Sequence, residues 1–252
     1  MATTVPPLGR TPLPGAREGR DPDRVIKRGP RRLPAEVVAA TQRDRLYDGL
    51  VHTVAAKGYD NARVSDICQA AGVTRPAFYA QFEGKEAAFL ATYRHGTTVV
   101  VRLMQAAYRD EGDWRSGARG ALKVLLDVLA GVPAFATMAV VEVDAAGPAA
   151  RRERDRLLAE FRQFFGGARP LPPLAVPHDV LIDSIVGGIY ATIRQQVAAG
   201  AVQRLPELLP VLTYFMVAPF LGPAEAAREA AAVDQGGVVT VAPCVRRPTD
   251  TH

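Results

Sequence analysis

The chain has 252 residues, 48% hydrophobic and 23% charged, enough apolar material for a buried core and too much for wholesale disorder. Its two cysteines, Cys68 and Cys244, exclude a disulfide framework. Together with four scattered histidines they give no metal-ligand spacing, so neither metal nor cofactor is expected.

The formal net charge of +5 is mildly suggestive of a polyanionic partner. The charge is also uneven: Arg24, Lys27, Arg28, Arg31, Arg32, Arg43 and Arg45 are opposed only by Glu36 and Asp44. That stretch reads equally as a solvated tail and as an arm that neutralises phosphates. The longest apolar run, Leu208 to Gly222, is interrupted by Pro210, Thr213 and Pro219 and falls short of the roughly 18 residues a membrane span needs. The opening residues are Thr, Pro, Gly and Arg rather than a signal peptide, so the expectation is a cytoplasmic protein with no membrane partner.

In chain order, residues 1–33 are predicted to be a flexible leader. Pro34 suits a first helical turn, and Val38, Leu46, Leu50, Val51 and Val54 predict a helix over 35–57 closed by Gly58. A short helix over 66–71, a turn at Gly72-Val73-Thr74 and a short helix over 75–82 follow, the last with Thr74 as N-cap and Pro76 in its first turn. Gly72 stands at the sharp reversal, and small Cys68 suits a close helix approach. Ile67, Val73 and Phe78 are spaced to close a small core with Val54 and Phe82. Three helices with a tight glycine turn between the second and third have the shape of a helix-turn-helix.

A long helix is predicted over 85–109. Beyond it, helices are predicted over about 115–131, 133–146, 148–166, 178–201, 205–221 and 223–233. They are punctuated at Gly147-Pro148, Gly166-Gly167 and Pro172-Pro173. Only Val238 to Val241 alternates like a strand, and it is isolated in a polar tail. The predicted fold is all-α: a leader (1–33), an N-terminal three-helix DNA-binding domain with a helix-turn-helix (34–84), a larger α-helical domain (85–233) and a flexible tail (234–252).

Gly58-Tyr59, Val64, Asp66-Ile67, Ala71-Gly72-Val73-Thr74-Arg75, Ala77-Phe78-Tyr79, Phe82 and Lys85-Glu86 occur in an order that resembles the N-terminal domain of the TetR family of transcriptional regulators. The resemblance covers residues 34–95; the helices beyond match only in kind and length, although Ala218 to Pro223 is similar to the end of the penultimate helix in some members. Two departures stand out. Arg63 occupies the place of the usual Ser or Thr cap of the second helix, and Cys68 replaces the usual Ala, where it reads as a packing residue.

The resemblance implies a regulator that binds double-stranded operator DNA as a homodimer, most simply a repressor released by a small apolar effector, with residues 85–233 as its ligand-binding and dimerisation domain. Arg75 can fork onto guanine or contact phosphate. Tyr79 is expected to donate to a phosphate, and Thr74 to cap its helix and reach a phosphate or thymine methyl. Lys85, at the start of the long helix, is expected to meet phosphate, and Arg63 can touch phosphate directly. Ala77 and Phe78 complete the expected DNA-binding set.

A dimer face is expected on the helices over 178–201 and 205–221, with Ile185, Gly188, Ile189, Ala191, Leu212 and Phe215 as its members. Ile182, Ile193 and Val197 extend the stripe, which an ordinary monomer core would explain as well. Trp114, Phe135, Met138, Phe161 and Phe165, with Leu125, Leu129 and Phe164, are candidates for an apolar effector pocket, and core packing is the alternative for each. No Walker loop, dinucleotide fingerprint, nucleophile elbow or His-Glu-x-x-His occurs, so no catalytic residue and no enzyme activity is expected. The competing reading is a helical small-molecule-binding protein with a degenerate DNA-binding domain.

Overall fold

The computed structural model describes residues 13–17, 35–169 and 177–232. Every regular element among the described residues is a helix. Helix α1 (Ala35–Lys57) buries Leu46, Leu50, Val51 and Val54 along one face and packs on α2 (Val64–Ala71). Their approach is closest at Gly49, where a Cβ would lie 2.8 Å from the Ala71 amide nitrogen and 2.9 Å from the Ala71 Cβ. The residue that lets α1 and α2 meet is therefore Gly49.

Helix α3 (Arg75–Tyr79) ends three residues earlier than expected and continues as turns in which the Gln81 and Phe82 amides bond the Phe78 carbonyl. Ile67, Val54, Phe78 and Phe82 are all buried and Val73 packs against them, so the small core forms from the residues whose spacing predicted it. Helix α4 (Lys85–Arg109) buries Phe89, Tyr93, Val100 and Met104 and leads from this domain into the larger one.

There α4 packs on α5 (Trp114–Gly131), whose start is capped by Asp113 accepting from the Arg115 and Ser116 amides. Pro133 cannot donate a hydrogen bond and holds Val132 out of the helical region (φ −131°), so the chain turns by 106° into α6 (Pro133–Ala136). The helix expected over 133–146 is interrupted: Thr137–Glu142 forms a π-helical turn, one residue wider than an α turn. Helix α7 (Pro148–Glu160) tightens into a 3₁₀ segment at Phe161–Phe165.

Helix α8 (His178–Ala198) precedes a 3₁₀ segment, Val202–Leu208, and then α9 (Leu209–Leu221) and α10 (Pro223–Ala231). Pro206 and Pro210 explain why the α-helix begins at Leu209 and not at residue 205. Val202–Leu221 reaches the length and apolarity of a membrane span, but Leu205, Leu209, Leu212, Met216, Val217 and Phe220 are buried in the helical core.

The leader needs one correction. Residues 13–17 are a turn packed against α1, with Leu13 buried, because its apolar Leu-Pro-Gly finds a fitting seat there. The basic residues from Arg24 to Arg32, the Val238 to Val241 fragment and the rest of the expected tail lie outside the described residues.

Candidate nucleic-acid interface and core cavity

The turn between α2 and α3 is built from backbone chemistry. Gly72 adopts φ +60°, ψ +38°, a left-handed conformation glycine enters at no steric cost, while the Val73 amide bonds the Cys68 carbonyl at 3.0 Å. Thr74 caps α3, its hydroxyl accepting from the Ala77 amide at 3.4 Å. Phe78 is fully buried, 5.6 Å from Phe82 ring to ring and edge-on to Tyr79. Phe78 is thus no DNA contact: its large apolar ring serves as the pin that fixes the rotation of α3. With Phe78 inward, Thr74, Arg75 and Tyr79 point to solvent, Tyr79 53% exposed, and Ala77 is half-buried beside them.

Arg63 is exposed at the start of α2, where its amide donates to Asp66 at 3.1 Å. The Lys57 ammonium, 3.0 Å from the Asp66 carboxylate, and the Arg63 amide hold that carboxyl below its ordinary range. Burial pushes the Cys68 thiol up, only partly offset by Arg75, which suits an inert packing residue.

Lys85 is placed differently from expectation. Its ammonium donates to the Tyr59 carbonyl at 2.7 Å and lies 4.2 Å from the centre of the Tyr59 ring. A half-buried cation gains both a carbonyl and a π face there, so the side chain is turned back toward the loop after α1. Two arginines of α1 clamp the opposite side of the unit. Arg43 forks onto the Gln81 side-chain oxygen at 3.0 and 2.8 Å, and Arg45 donates to the Gly72 carbonyl at 3.1 Å. The sequence marked both as basic but held no signal for these partners, since Gln81 lies 38 residues away.

Inside the larger domain is an apolar cavity of about 90 Å³ bounded by α4, α5, α6, the π turn, α7, the 3₁₀ segment after it, α8 and α9. Phe135, Phe161 and Phe165 line it, as do Leu125, Leu129 and Phe164. Trp114 does not: it sits at the start of α5, edge-on to Phe220 and against Gly167. Met138 is fully buried but off the wall, because the π turn presents its next two residues, Ala139 and Val140, to the cavity. Phe135 rests on bare backbone of α4, where a Cβ on Gly96 would come within 2.2 Å of the ring.

The polar groups at the rim are Tyr93, Thr97 and Tyr190. Thr97 and Tyr190 already donate to the Tyr93 and Val140 carbonyls, and burial pushes the Tyr93 and Tyr190 phenols above their usual range. An adjoining surface cleft of about 320 Å³ shares Tyr93, Thr97 and Leu157 with the cavity and carries Arg94, Arg102 and Arg156 against Glu153 and Glu160.

On α8 and α9, Ile185, Ile189 and Leu212 are buried within the subunit, since their stripe packs on the helical core, and they cannot form an outward face. The outward side carries Gly187 and Ala191 on α8 with Val211, Tyr214 and Phe215 on α9, the last three 40 to 58% exposed. Gly188 lies beneath the Phe215 ring. Among the described residues no group of three or more His, Cys, Asp or Glu could hold a metal ion.

Residues 46–92 match the family model of bacterial regulatory proteins, tetR family. The helix-turn-helix unit is therefore a TetR-family domain. Over about 70% of its length the chain shares its fold with solved transcriptional regulators. FadR, the fatty acid degradation regulator from Bacillus halodurans, aligns with a TM-score of 0.61 at 17% identity, over 69% of this chain and 97% of its own. FadR from Bacillus subtilis, solved in complex with stearoyl-CoA, gives 0.58 at 16%, over 70% and 97%. A TetR-like transcriptional regulator from Rhodococcus sp. RHA1 gives 0.53 at 21%, over 74% and 99%. No curated protein matches the sequence.

Proposed function

We propose that this chain is a homodimeric transcriptional regulator that binds operator DNA and is released from it by a small apolar effector, acting as a repressor in the cytoplasm. The observation that carries the reading is the exposed Thr74–Arg75–Tyr79 edge of α3, held outward by buried Phe78. Its width is that of one helix, which the major groove of B-form DNA admits. Arg75 is the guanine or phosphate contact, and Thr74 and Tyr79, with Arg63 beside them, are phosphate contacts. Two such edges, about 34–36 Å apart in a two-fold dimer, would read two half-sites. The small and apolar outward residues of α8 and α9 are the face through which the dimer forms.

The effector site is the core cavity. Its volume is about 90 Å³, and apolar ligand surface buried against these walls gains roughly 25 cal/mol per Å². The walls are apolar, which favours a molecule with a hydrocarbon body, as the stearoyl-CoA held by FadR from Bacillus subtilis has; in the adjoining cleft Arg94 and Arg156 are paired with Glu153, beside Arg102 and Glu160. Footprinting on the DNA flanking the coding region, followed by a thermal-shift screen with acyl-CoA esters and free fatty acids, tests the reading. Protection of a palindromic site that an effector abolishes is the expected result. Failure to bind any duplex at moderate salt would refute it.

A further inference from the structure

Residues 13–17 form a tight turn in the seam between the two domains. The Ala16 amide donates to the Leu13 carbonyl at 3.1 Å, with Pro14 and Gly15 at the centre and Gly15 at φ +82°, the arrangement a Pro-Gly pair favours. Leu13, Pro14 and Gly15 are buried. The Gly15 amide donates to the Asp48 carboxylate at 2.8 Å, and Asp48 is itself only 2% exposed. One turn further along α1, His52 Nε2 lies 3.0 Å from the Arg17 carbonyl oxygen. The fit is close: a Cβ on Gly15 would sit 2.5 Å from Cγ1 of Val51 and 3.6 Å from Cγ1 of Val132.

Two features separate this turn from ordinary packing. The amide aimed at a buried carboxylate adds a directional, charge-assisted hydrogen bond to the apolar contacts of the turn. The seat also belongs to two domains: Asp48, Val51 and His52 stand on α1, whereas Val132 forms the corner that leads to Phe135. We infer that residues 13–17 are a strap that fastens α1 of the N-terminal domain to the α5–α6 corner of the larger domain, and that the α1–Val132 seam is a receptor for a Leu-Pro-Gly turn. The inference stands apart from the DNA and effector readings, since it concerns only how the two domains are joined.

Hydrogen exchange on the full-length protein tests it. Gly15→Val has both the wrong φ and a clash with Val51, and a chain lacking residues 1–17 removes the strap outright. In both, amides over 48–56 and 132–138 should exchange at least tenfold faster while those of α8 and α9 keep their rates. A synthetic peptide of residues 11–19 should restore protection to the shortened chain. Wild-type exchange at the seam in both variants, equal acceleration in every helix, or a peptide without effect would overturn the assignment.

Discussion

Glu142 accepts a hydrogen bond from the Tyr59 amide at 2.6 Å, although 83 residues separate them in sequence. The π turn that walls the cavity is thereby tied to the loop behind the helix-turn-helix, the same loop whose carbonyl holds Lys85. Replacing Glu142 by Ala strands a half-buried amide. Hydrogen bonds to charged groups are worth about 1.5–3 kcal/mol, so Glu142→Ala should lower the unfolding free energy by up to roughly 2 kcal/mol, while Glu142→Gln, which keeps an acceptor, should recover most of it. Urea denaturation of the two variants measures the difference.

Arg75→Ala and Tyr79→Phe should weaken DNA binding and leave stability within about 0.5 kcal/mol of the parent, because both side chains are exposed. For Arg75→Ala a loss of about 1–3 kcal/mol in binding, tenfold or more, is expected if it reads a base. A phosphate contact would instead reduce the salt dependence, and titration at several salt concentrations separates the two. Phe78→Ala should do the opposite, costing about 3–5 kcal/mol of stability through the cavity it leaves. Thermal melts beside gel-shift titrations would distinguish a pin from a contact.

The helical architecture was legible in the sequence because apolar periodicity and Gly, Pro and Thr punctuation are local signals. So was the helix-turn-helix, where Gly72, Thr74 and Phe78 each act within a few residues of themselves. What stayed hidden depends on partners distant in sequence. Lys85 reads as a free cation until Tyr59 is seen beneath it. Ile185, Ile189 and Leu212 form an apolar stripe that says nothing of which body it packs on. Gly49 was detectable in principle as an unfavourable residue inside a long helix. The π turn was not, since Thr137 to Glu142 has the composition of an ordinary helix.

Asp66 makes acid sensitivity predictable. Its carboxyl is held below the ordinary range in the folded chain, chiefly by Lys57 and then by the Arg63 amide. A depressed folded value contributes stability above the unfolded value, about 3.9, and that contribution is lost as pH falls through the folded one. Asp66→Asn should therefore lower the melting temperature near neutral pH, with the gap to the parent closing below about pH 4. Parallel melts across pH 2.5 to 7 check this; a gap that does not change with pH would assign the effect to helix capping alone.

The outward face of α8 and α9 should respond to charge. Val211→Glu or Phe215→Glu places a carboxylate on a surface proposed to be covered by a second copy, so either variant should shift the protein from dimer to monomer in light-scattering measurements. Leu212→Ala, one residue away but buried, should instead cost about 2–5 kcal/mol of stability with the oligomeric state retained.

Phe135 meets α4 at Gly96 with no side chain between ring and main chain. Displacement of that ring is therefore not absorbed by a yielding rotamer; it bears directly on the rod that runs back toward the DNA-reading unit. A single methyl group added at Gly96 would come within 2.2 Å of the ring, so the aromatic and the wall it forms would have to shift together.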